Sequence, residues 1–187
     1  MDTSNTEICL EIIREQRHSF INHLQVISGY LQLGRAEEAK TYINNTAKDM
    51  AQLSQINRIK FPDLALALLY IISQGSKEGI ETDLAVESDF AGCGAPGSII
   101  GQMTMGLFDC LLQSHLFAGI AKKSLKITIH TRREHNICEF AFPESDPAAI
   151  SALTNLLTEL DARLKPYAIR QEQPPAAGLR RISLIFS

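Results

Sequence analysis

The stretch that decides the fold is Glu11 to Leu33, EIIREQRHSFINHLQVISGYLQL. At about 100° per residue, a helix formed by this stretch carries an apolar stripe along one side. The stripe consists of Ile13, Phe20, Leu24, Ile27 and Leu31. His18 lies about 150° from the centre of that stripe, on the polar side of the helix. Its neighbours on that side are Glu11, Arg14, Glu15, Asn22 and Gln25. The pattern predicts a long helix with an exposed imidazole on the side away from its apolar stripe.

A second amphipathic segment follows the first after a short turn at Gly34. Between Arg35 and about Asn57, apolar residues again recur at helical spacing. They are Ala36, Ala39, Tyr42, Ile43, Ala47, Met50, Leu53 and Ile56, with Ile59 beyond them. Because so short a connection makes consecutive helices antiparallel neighbours, residues 1–60 are predicted to form a helical hairpin.

This hairpin has more apolar surface than its own two helices can cover, because each stripe faces only one neighbour. We therefore expect two chains to associate about a twofold axis into a dimeric four-helix bundle. The core of that dimer would contain Phe20, Leu24, Ile27 and Leu31. His18 would then lie on the outside of the bundle. His23 falls nearer the edge of the stripe and is interpreted as a packing or interface residue.

After Pro62 the pattern changes from purely helical to mixed. Alternation of apolar and polar residues predicts three strands and a closing hairpin of two more. These strands span residues 80–86, 125–131, 136–142, 167–172 and 180–186. Helices are predicted at residues 63–75, 97–117 and 147–164, and the last one is opened by Ser145-Asp146-Pro147, a cap followed by proline at the first helical position. The order indicates an α/β sandwich over residues 61–187, and the predicted class of the whole chain is α+β.

Composition excludes several classes of function. The 187 residues carry a formal net charge of −3, without the clustered positive charge that nucleic-acid binding needs. The acidic start and the lack of an 18-residue apolar run predict a cytoplasmic protein without a membrane span. The four cysteines are widely scattered without a C-x-x-C pair, so we expect neither a metal site nor a disulfide framework.

The segment Arg17 to Asn22, RHSFIN, carries the strongest functional signal. An exposed histidine among charged neighbours is most often an ordinary surface residue. This segment, however, resembles the phosphoacceptor box of two-component histidine kinases. It is most similar to the Arg-His-Asp-aromatic-x-Asn form found in the sporulation-initiation phosphotransferases of the stage-zero B type and in citrate/malate-type sensor kinases. The resemblance implies that His18 is a phosphoacceptor. Ser19 departs from it, since those families usually have an acid there.

The chemistry of imidazole suits that role. A neutral imidazole nitrogen is nucleophilic near pH 7, and the phosphoramidate that it forms keeps a good leaving group. Because phosphoryl transfer depends on alignment and charge neutralisation, an exposed helix face suits an incoming response-regulator receiver domain. That domain would bring its own aspartate and Mg²⁺. The residues predicted to bind phosphate or the receiver are Arg14, Arg17, Asn22 and Gln25.

The order of elements after Pro62 resembles the ATP-binding domain of histidine kinases, with informative departures. Gly106 and Cys110 stand where the kinases have asparagines that ligate magnesium. The adenine-reading Asp-x-Gly-x-Gly turn is replaced by Pro143 to Pro147, which leads directly into a helix. The resemblance therefore implies a kinase-like fold without a nucleotide site, and we expect this chain to bind no cofactor of its own.

A second glycine pattern offers an alternative. Gly92 to Gly97, GCGAPG, matches G-x-G-x-x-G before a helix. A dinucleotide fingerprint must leave a strand directly, with an acid about 20 residues on. Five residues, Glu87 to Ala91, separate this loop from the predicted strand, so we interpret the glycines as part of a connecting loop.

Three hypotheses follow. The first is a dimeric phosphorelay histidine phosphotransferase that moves a phosphoryl group between response regulators through His18, with sporulation initiation as the implied setting. The second is a non-catalytic, kinase-like regulator that binds and sequesters a receiver domain or a kinase. The third, a truncated sensor kinase, requires an ATP site that the sequence lacks. Reversible labelling of His18 by a phosphorylated receiver separates the first two.

Overall fold

The structure is a computed structural model that describes residues 3–163, 168–172 and 179–186. The chain divides into two compact units between Ser54 and Gln55. Helices alone form the first unit, and helices with a mixed sheet form the second, which confirms the predicted α+β class. Residues 164–167, where the last helix was expected to end and the closing hairpin to begin, lie outside the described residues.

The first unit is a helical hairpin of α1 (Thr3–Gln32) and α2 (Ala36–Ser54). Gly34 ends α1 because its backbone adopts φ +69°, a left-handed conformation that costs glycine nothing. The amide of Arg35 donates to the carbonyl of Tyr30 at 2.9 Å, and the amide of Gly34 donates to that of Leu31 at 3.0 Å. This pair of bonds is a Schellman motif, which satisfies the last carbonyls of α1 and turns the chain back.

Only part of the apolar surface of the hairpin lies between its two helices. Ile12 and Ala39 are the buried hydrophobic residues of α1 and α2 among those described, and Tyr30 and Tyr42 are half-buried with ring centroids 6.2 Å apart. Most of the predicted stripe is on a neighbouring face of α1. Its exposed members are Ile13 (61% exposed), Phe20 (53%), Leu24 (51%) and Leu31 (57%), whereas Ile27 is half-buried. The stripe is therefore largely uncovered within one chain.

The second helix is shorter than the sequence predicts. A single helix to about Asn57 is wrong in its last turn, because α2 ends at Ser54 and Gln55–Arg58 form a 3-10 helix. The side chain of Gln55 explains the change. Its amide nitrogen donates to the carbonyl of Leu84 at 3.2 Å, and its oxygen accepts from the amide of Val86 at 3.1 Å. Gln55 thus pairs with the free edge of a strand, and the 3-10 helix belongs to the second unit.

The second unit is built on a five-stranded mixed sheet of order β1-β2-β3-β5-β4. Its strands are β1 (Glu81–Val86), β2 (Ser124–Arg132), β3 (His135–Pro143), β4 (Ala168–Glu172) and β5 (Leu179–Phe186). β1 and β2 are parallel, and every other neighbouring pair is antiparallel. β2 and β3 are joined by a two-residue turn in which Arg133 has φ +58°.

Three helices cover one face of this sheet: α3 (Pro62–Lys77), α4 (Gly97–Gln113) and α5 (Pro147–Arg163). α3 contacts β1, α4 contacts β5 and α5 contacts β4. The burial of alternate residues on each strand shows which face is covered. On β2, for example, Leu125, Ile127 and Ile129 are fully buried, whereas Lys126 and His130 on the opposite face are not.

Two glycines let α3 and α4 approach closely. A Cβ at Gly101 would lie 2.8 Å from the carbonyl oxygen of Asp63, and one at Gly97 would lie 3.1 Å from its carboxylate. Gly97 is the last glycine of the G-x-G-x-x-G pattern, so the structure gives it a packing role. Ser145, predicted to cap α5, donates its hydroxyl hydrogen to the carbonyl of Leu116 at 2.6 Å.

Candidate functional site

His18 lies in the middle of α1, in a helix that runs without interruption from Thr3 to Gln32. Its side chain is exposed, as the sequence predicts for the polar side of this helix. Because regular backbone bonds fix the helix on both sides, the position of the imidazole is set by its side-chain rotamer. The ring is therefore accessible to a partner while its backbone is held rigid.

Asn22, one turn after His18, holds one ring nitrogen. Its amide nitrogen Nδ2 lies 3.2 Å from Nδ1 of His18. An amide nitrogen only donates, so in this orientation Nδ1 accepts and the proton of the neutral ring is on Nε2. Rotation of the amide by half a turn presents its oxygen instead, which places the proton on Nδ1 and leaves the lone pair of Nε2 free toward solvent. The orientation of Asn22 thus selects the nucleophilic nitrogen.

The other predicted receiver-binding residues are also exposed, and they fall in two positions around the helix. At about 100° per residue, Arg14 and Gln25 lie within about 40° of His18. Arg17 lies about 100° from His18, toward Leu24 and the exposed apolar stripe. Among the described side chains, only Asn22 makes a hydrogen bond to His18. Arg14 and Gln25 can therefore reach a group bound at His18, whereas Arg17 borders the stripe.

The side chain of Ser19 makes its described hydrogen bond to His23 and not to His18. Its hydroxyl lies 3.2 Å from Nε2 of His23, whose Nδ1 lies 2.8 Å from the hydroxyl of Tyr42 on α2. The rings of His23 and Tyr42 are 5.7 Å apart. This chain of three side chains, which we call the Ser19–His23–Tyr42 link, ties the face next to His18 to the second helix. The i, i+4 spacing of Ser19 and His23 signals its first bond, but nothing in the sequence signals Tyr42 as the partner.

Gly106 and Cys110 are the two positions compared with the kinase asparagines. They lie on a face of α4 that packs against α5. A Cβ at Gly106 would lie 3.0 Å from Cδ1 of Leu160. Cys110 is buried, and burial raises the pKa of its thiol. Between them, Asp109 is half-buried with an oxygen 3.5 Å from the hydroxyl of Tyr70. Burial raises the pKa of the Asp109 carboxyl, and the hydrogen bond from Tyr70 partly offsets that rise.

The connection into α5 leaves little room for a lid. β3 ends at Pro143 and α5 begins at Pro147, so three residues separate the strand from the helix. Within the described ranges, no group of three or more His, Cys, Asp or Glu side chains is arranged to hold a metal ion. None of the described helices is long and apolar enough to cross a membrane.

Comparison with known proteins supports the resemblance drawn from the sequence. Residues 1–59 match the family described as Sensor_kinase_SpoOB-type, alpha-helical domain. The sensor protein CitS of Halalkalibacterium halodurans is 30% identical over 138 residues, which cover 68% of this chain and 24% of that protein. The chain thus spans about a quarter of the length of this curated relative. The hairpin is thus similar to the SpoOB-type alpha-helical domain and the chain to a sensor protein, which confirms the predicted resemblance.

Solved structures similar to this chain include two histidine kinases. One, from Burkholderia phymatum, has a TM-score of 0.49 and 10% identity, and the match covers 100% of this chain and 98% of that one. The other is the histidine kinase ThkA in complex with the response regulator protein TrrA, with a TM-score of 0.46 and 13% identity. That match covers 98% of this chain and 64% of the other. We infer no activity from either likeness.

Proposed function

We propose that this chain is a phosphorelay histidine phosphotransferase. His18 accepts a phosphoryl group from the aspartate of one response-regulator receiver domain and passes it to the aspartate of a second. The observation that supports this most is the placement of His18, exposed in the middle of a long helix, within a hairpin similar to the SpoOB-type domain. Control of sporulation initiation is the physiological setting that the resemblance implies.

The transfer step needs few groups from this chain. The lone pair of Nε2 on His18 attacks the phosphorus of an aspartyl phosphate, the nitrogen–phosphorus bond forms, and the bond to the carboxylate oxygen breaks. The carboxylate leaves with the electron pair, and Mg²⁺ supplied by the receiver neutralises the phosphoryl oxygens. Asn22, in the orientation that presents its oxygen to Nδ1, keeps the proton away from Nε2. The reverse step returns the group to the second aspartate.

Two arginines contribute charge. Arg14 is close enough around the helix to neutralise the phosphoryl group on His18, and Arg17 is placed to pair with acidic residues of the docked receiver. We expect Arg17→Ala to slow transfer by up to roughly fivefold without abolishing it, because a surface ion pair contributes about 1 kcal/mol or less to docking. Stopped-flow or quench kinetics with a phosphorylated receiver measure this rate.

Dimerisation through the exposed stripe is part of the proposal. Phe20, Leu24 and Leu31 present apolar surface next to the face that α2 covers, and Ile43 and Met50 of α2 are likewise exposed at 47% and 51%. Monomeric proteins seldom expose a continuous apolar surface of this kind. A second copy of the hairpin would cover it and complete a four-helix bundle, while His18 stays on the outside.

The proposed activity does not use ATP. The packing of Leu160 on Gly106, the burial of Cys110 and the short connection before α5 support the absence of a nucleotide site on this face of α4. We therefore expect no autophosphorylation in the presence of Mg²⁺ and ATP. The second candidate function, a kinase-like regulator that sequesters a receiver, shares this absence but needs no phosphohistidine.

Labelling of His18 tests the proposal. Receiver domains phosphorylated with a radioactive phosphoryl group are mixed with the wild type, His18→Ala and His23→Ala. The wild type and His23→Ala should become labelled, and His18→Ala should not. Because His18 faces water, its removal opens no cavity and should leave the circular dichroism spectrum unchanged. Labelling of His18→Ala at the wild-type level would exclude the phosphotransferase. Receiver binding without any label would favour the sequestering regulator.

A further inference from the structure

The face of the sheet that α3, α4 and α5 leave uncovered carries a cavity of about 350 Å³. It lies at the end of the sheet where β2 turns into β3, and the strand register explains which residues meet there. Arg132 pairs with His135, His130 pairs with Ile137, and Ile137 pairs with Ile185 of β5. Side chains on paired residues project to the same face of a sheet, so these residues share one wall. A cavity of this size suits a small organic molecule.

The lining of this cavity is rich in hydrogen-bond donors. Four of its residues carry a guanidinium or an imidazole: His130, Arg132, Arg133 and His135. Among the residues that the structure describes, none of these four side chains takes part in an ion pair or a hydrogen bond, whereas the carboxylate of Glu139 lies 3.8 Å from Nε of Arg181. Glu139 is the one acid among the described residues of the lining, and Arg181, outside the lining, is its ion-pair partner. The chain has a net charge of −3, so this is a local excess of positive charge.

The arrangement is not explained by stability. A histidine directly opposite an arginine on a neighbouring strand brings two groups of like charge together whenever the imidazole is protonated, which is unfavourable. Arg133 also has φ +58° in the turn, a conformation that is unfavourable for a residue with a Cβ and that glycine adopts freely. The chain therefore has two unpaired arginines at adjacent positions although both the like-charge pairing and the positive φ are unfavourable. An anion bound between them would offset both effects.

We propose that this cavity binds a small organic phosphate. Two guanidinium groups and two imidazoles line one cavity, and this number of donors suits the three terminal oxygens of a phosphate monoester better than the two coplanar oxygens of a carboxylate. The hydroxyl of Ser183, which is 95% buried in the floor, offers a further hydrogen bond. Ile137 and Ile185 supply apolar wall for the organic part. The site belongs to the α/β unit and does not depend on His18 chemistry.

Calorimetric titration with glycerol 3-phosphate tests this proposal on the full chain. The test variant is Arg132→Gln/Arg133→Gly, in which glycine relieves the strain at φ +58° and so protects the fold. The matched control is Lys122→Gln/Lys126→Gln, which removes two cations from the same part of the chain outside the cavity. The wild type and the control should bind with equal affinity, and the test variant should bind about tenfold or more weakly.

Four results would overturn the proposal. The first two are no binding of glycerol 3-phosphate to the wild type and equal weakening of binding in the lysine control. The third is loss of wild-type binding when sodium chloride is added to the same ionic strength as the ligand. The fourth is equally tight binding of succinate, which would make the site a carboxylate site. His18→Ala should bind glycerol 3-phosphate as the wild type does. A failure of phosphotransfer would therefore not affect the result of this titration, and a failure of the titration would not affect the phosphotransfer proposal.

Discussion

The two units of this chain differ in how many of their apolar side chains they bury. In the helical hairpin, Ile12 and Ala39 are the buried hydrophobic residues among those described, whereas the α/β unit buries full layers from α3, α4 and the sheet. Of the eleven large hydrophobic residues that are exposed in the described part of the chain, ten lie in the hairpin and Leu179 lies outside it. The α/β unit therefore has a complete core within one chain. The hairpin leaves most of its large apolar residues exposed, and the dimer proposed above would cover them.

The two units also differ in the groups that they expose. In the α/β unit, α5 covers the face of α4 that carries Gly106. The hairpin exposes both an apolar stripe and, about 140° away, an imidazole with one nitrogen held. Functional groups that must meet a partner are expected on such a surface. Under the proposed function, the hairpin carries both assembly and chemistry.

The largest expected effect comes from a charge in the stripe. Leu24→Glu would bury an unpaired carboxylate in the proposed dimer core at a cost of several kcal/mol, so the variant should be monomeric or have an unfolded hairpin. Multi-angle light scattering measures the mass, and circular dichroism measures the helix content. Gln32→Glu adds the same charge to the same helix away from the stripe and should remain dimeric. A wild-type chain that is a stable monomer would contradict the bundle.

Two glycine substitutions should have opposite effects in the two units. Gly101→Ala should destabilise the α/β unit by about 1–3 kcal/mol, because its Cβ would lie 2.8 Å from the backbone oxygen of Asp63. Gly29→Ala should stabilise the hairpin by up to about 1 kcal/mol, since α1 leaves that Cβ open space and alanine favours helix. Thermal unfolding of each variant gives both values. Equal effects at the two positions would mean that the close approach of α3 and α4 is wrong.

The smallest expected effect concerns Asp109. Because burial raises its pKa in the folded state, the unfolded chain ionises first as pH rises, and stability is lost from about pH 4 upward through the raised value. Asp109→Asn removes this loss and should stabilise the protein at pH 7 by at most roughly 1 kcal/mol, since the group is half-exposed.

The gain from Asp109→Asn should shrink as the pH falls toward 3. Glu134→Gln, which removes an exposed carboxylate in the turn between β2 and β3, is the matched control and should show no such trend. Denaturant titrations at several pH values compare the two. A gain for Asp109→Asn that does not vary with pH would show that the buried carboxyl is not its cause.

Local periodicity was sufficient to predict most of the elements. The spacing of Ile13, Phe20 and Leu31 gives the stripe on α1, and the exposure of His18 follows from the same helical geometry. Gly34 and Pro147 mark helix ends through conformations that few other residues favour. These features depend on neighbours within one or two turns, so the sequence contains them directly.

Features that depend on distant residues were not predictable in this way. Nothing near Gln55 indicates that its amide will pair with the edge of β1, and this contact ends α2 three residues early. The Tyr42 end of the Ser19–His23–Tyr42 link joins residues 19 positions apart. The fit of Leu160 onto Gly106 likewise requires the packed arrangement of α4 and α5. In each case tertiary packing decides a detail that local preference leaves open.

The measurement that most directly tests the account is the donor and site of phosphohistidine formation in the wild-type chain. The protein is incubated either with Mg²⁺ and ATP or with a phosphorylated receiver domain, and phosphorylated residues are located by mass spectrometry under neutral conditions. The account predicts a phosphoryl group from the receiver only, on His18 only, and its transfer to a second receiver on addition. Phosphorylation by ATP, or equal labelling of His23, His115, His130 or His135, would contradict it.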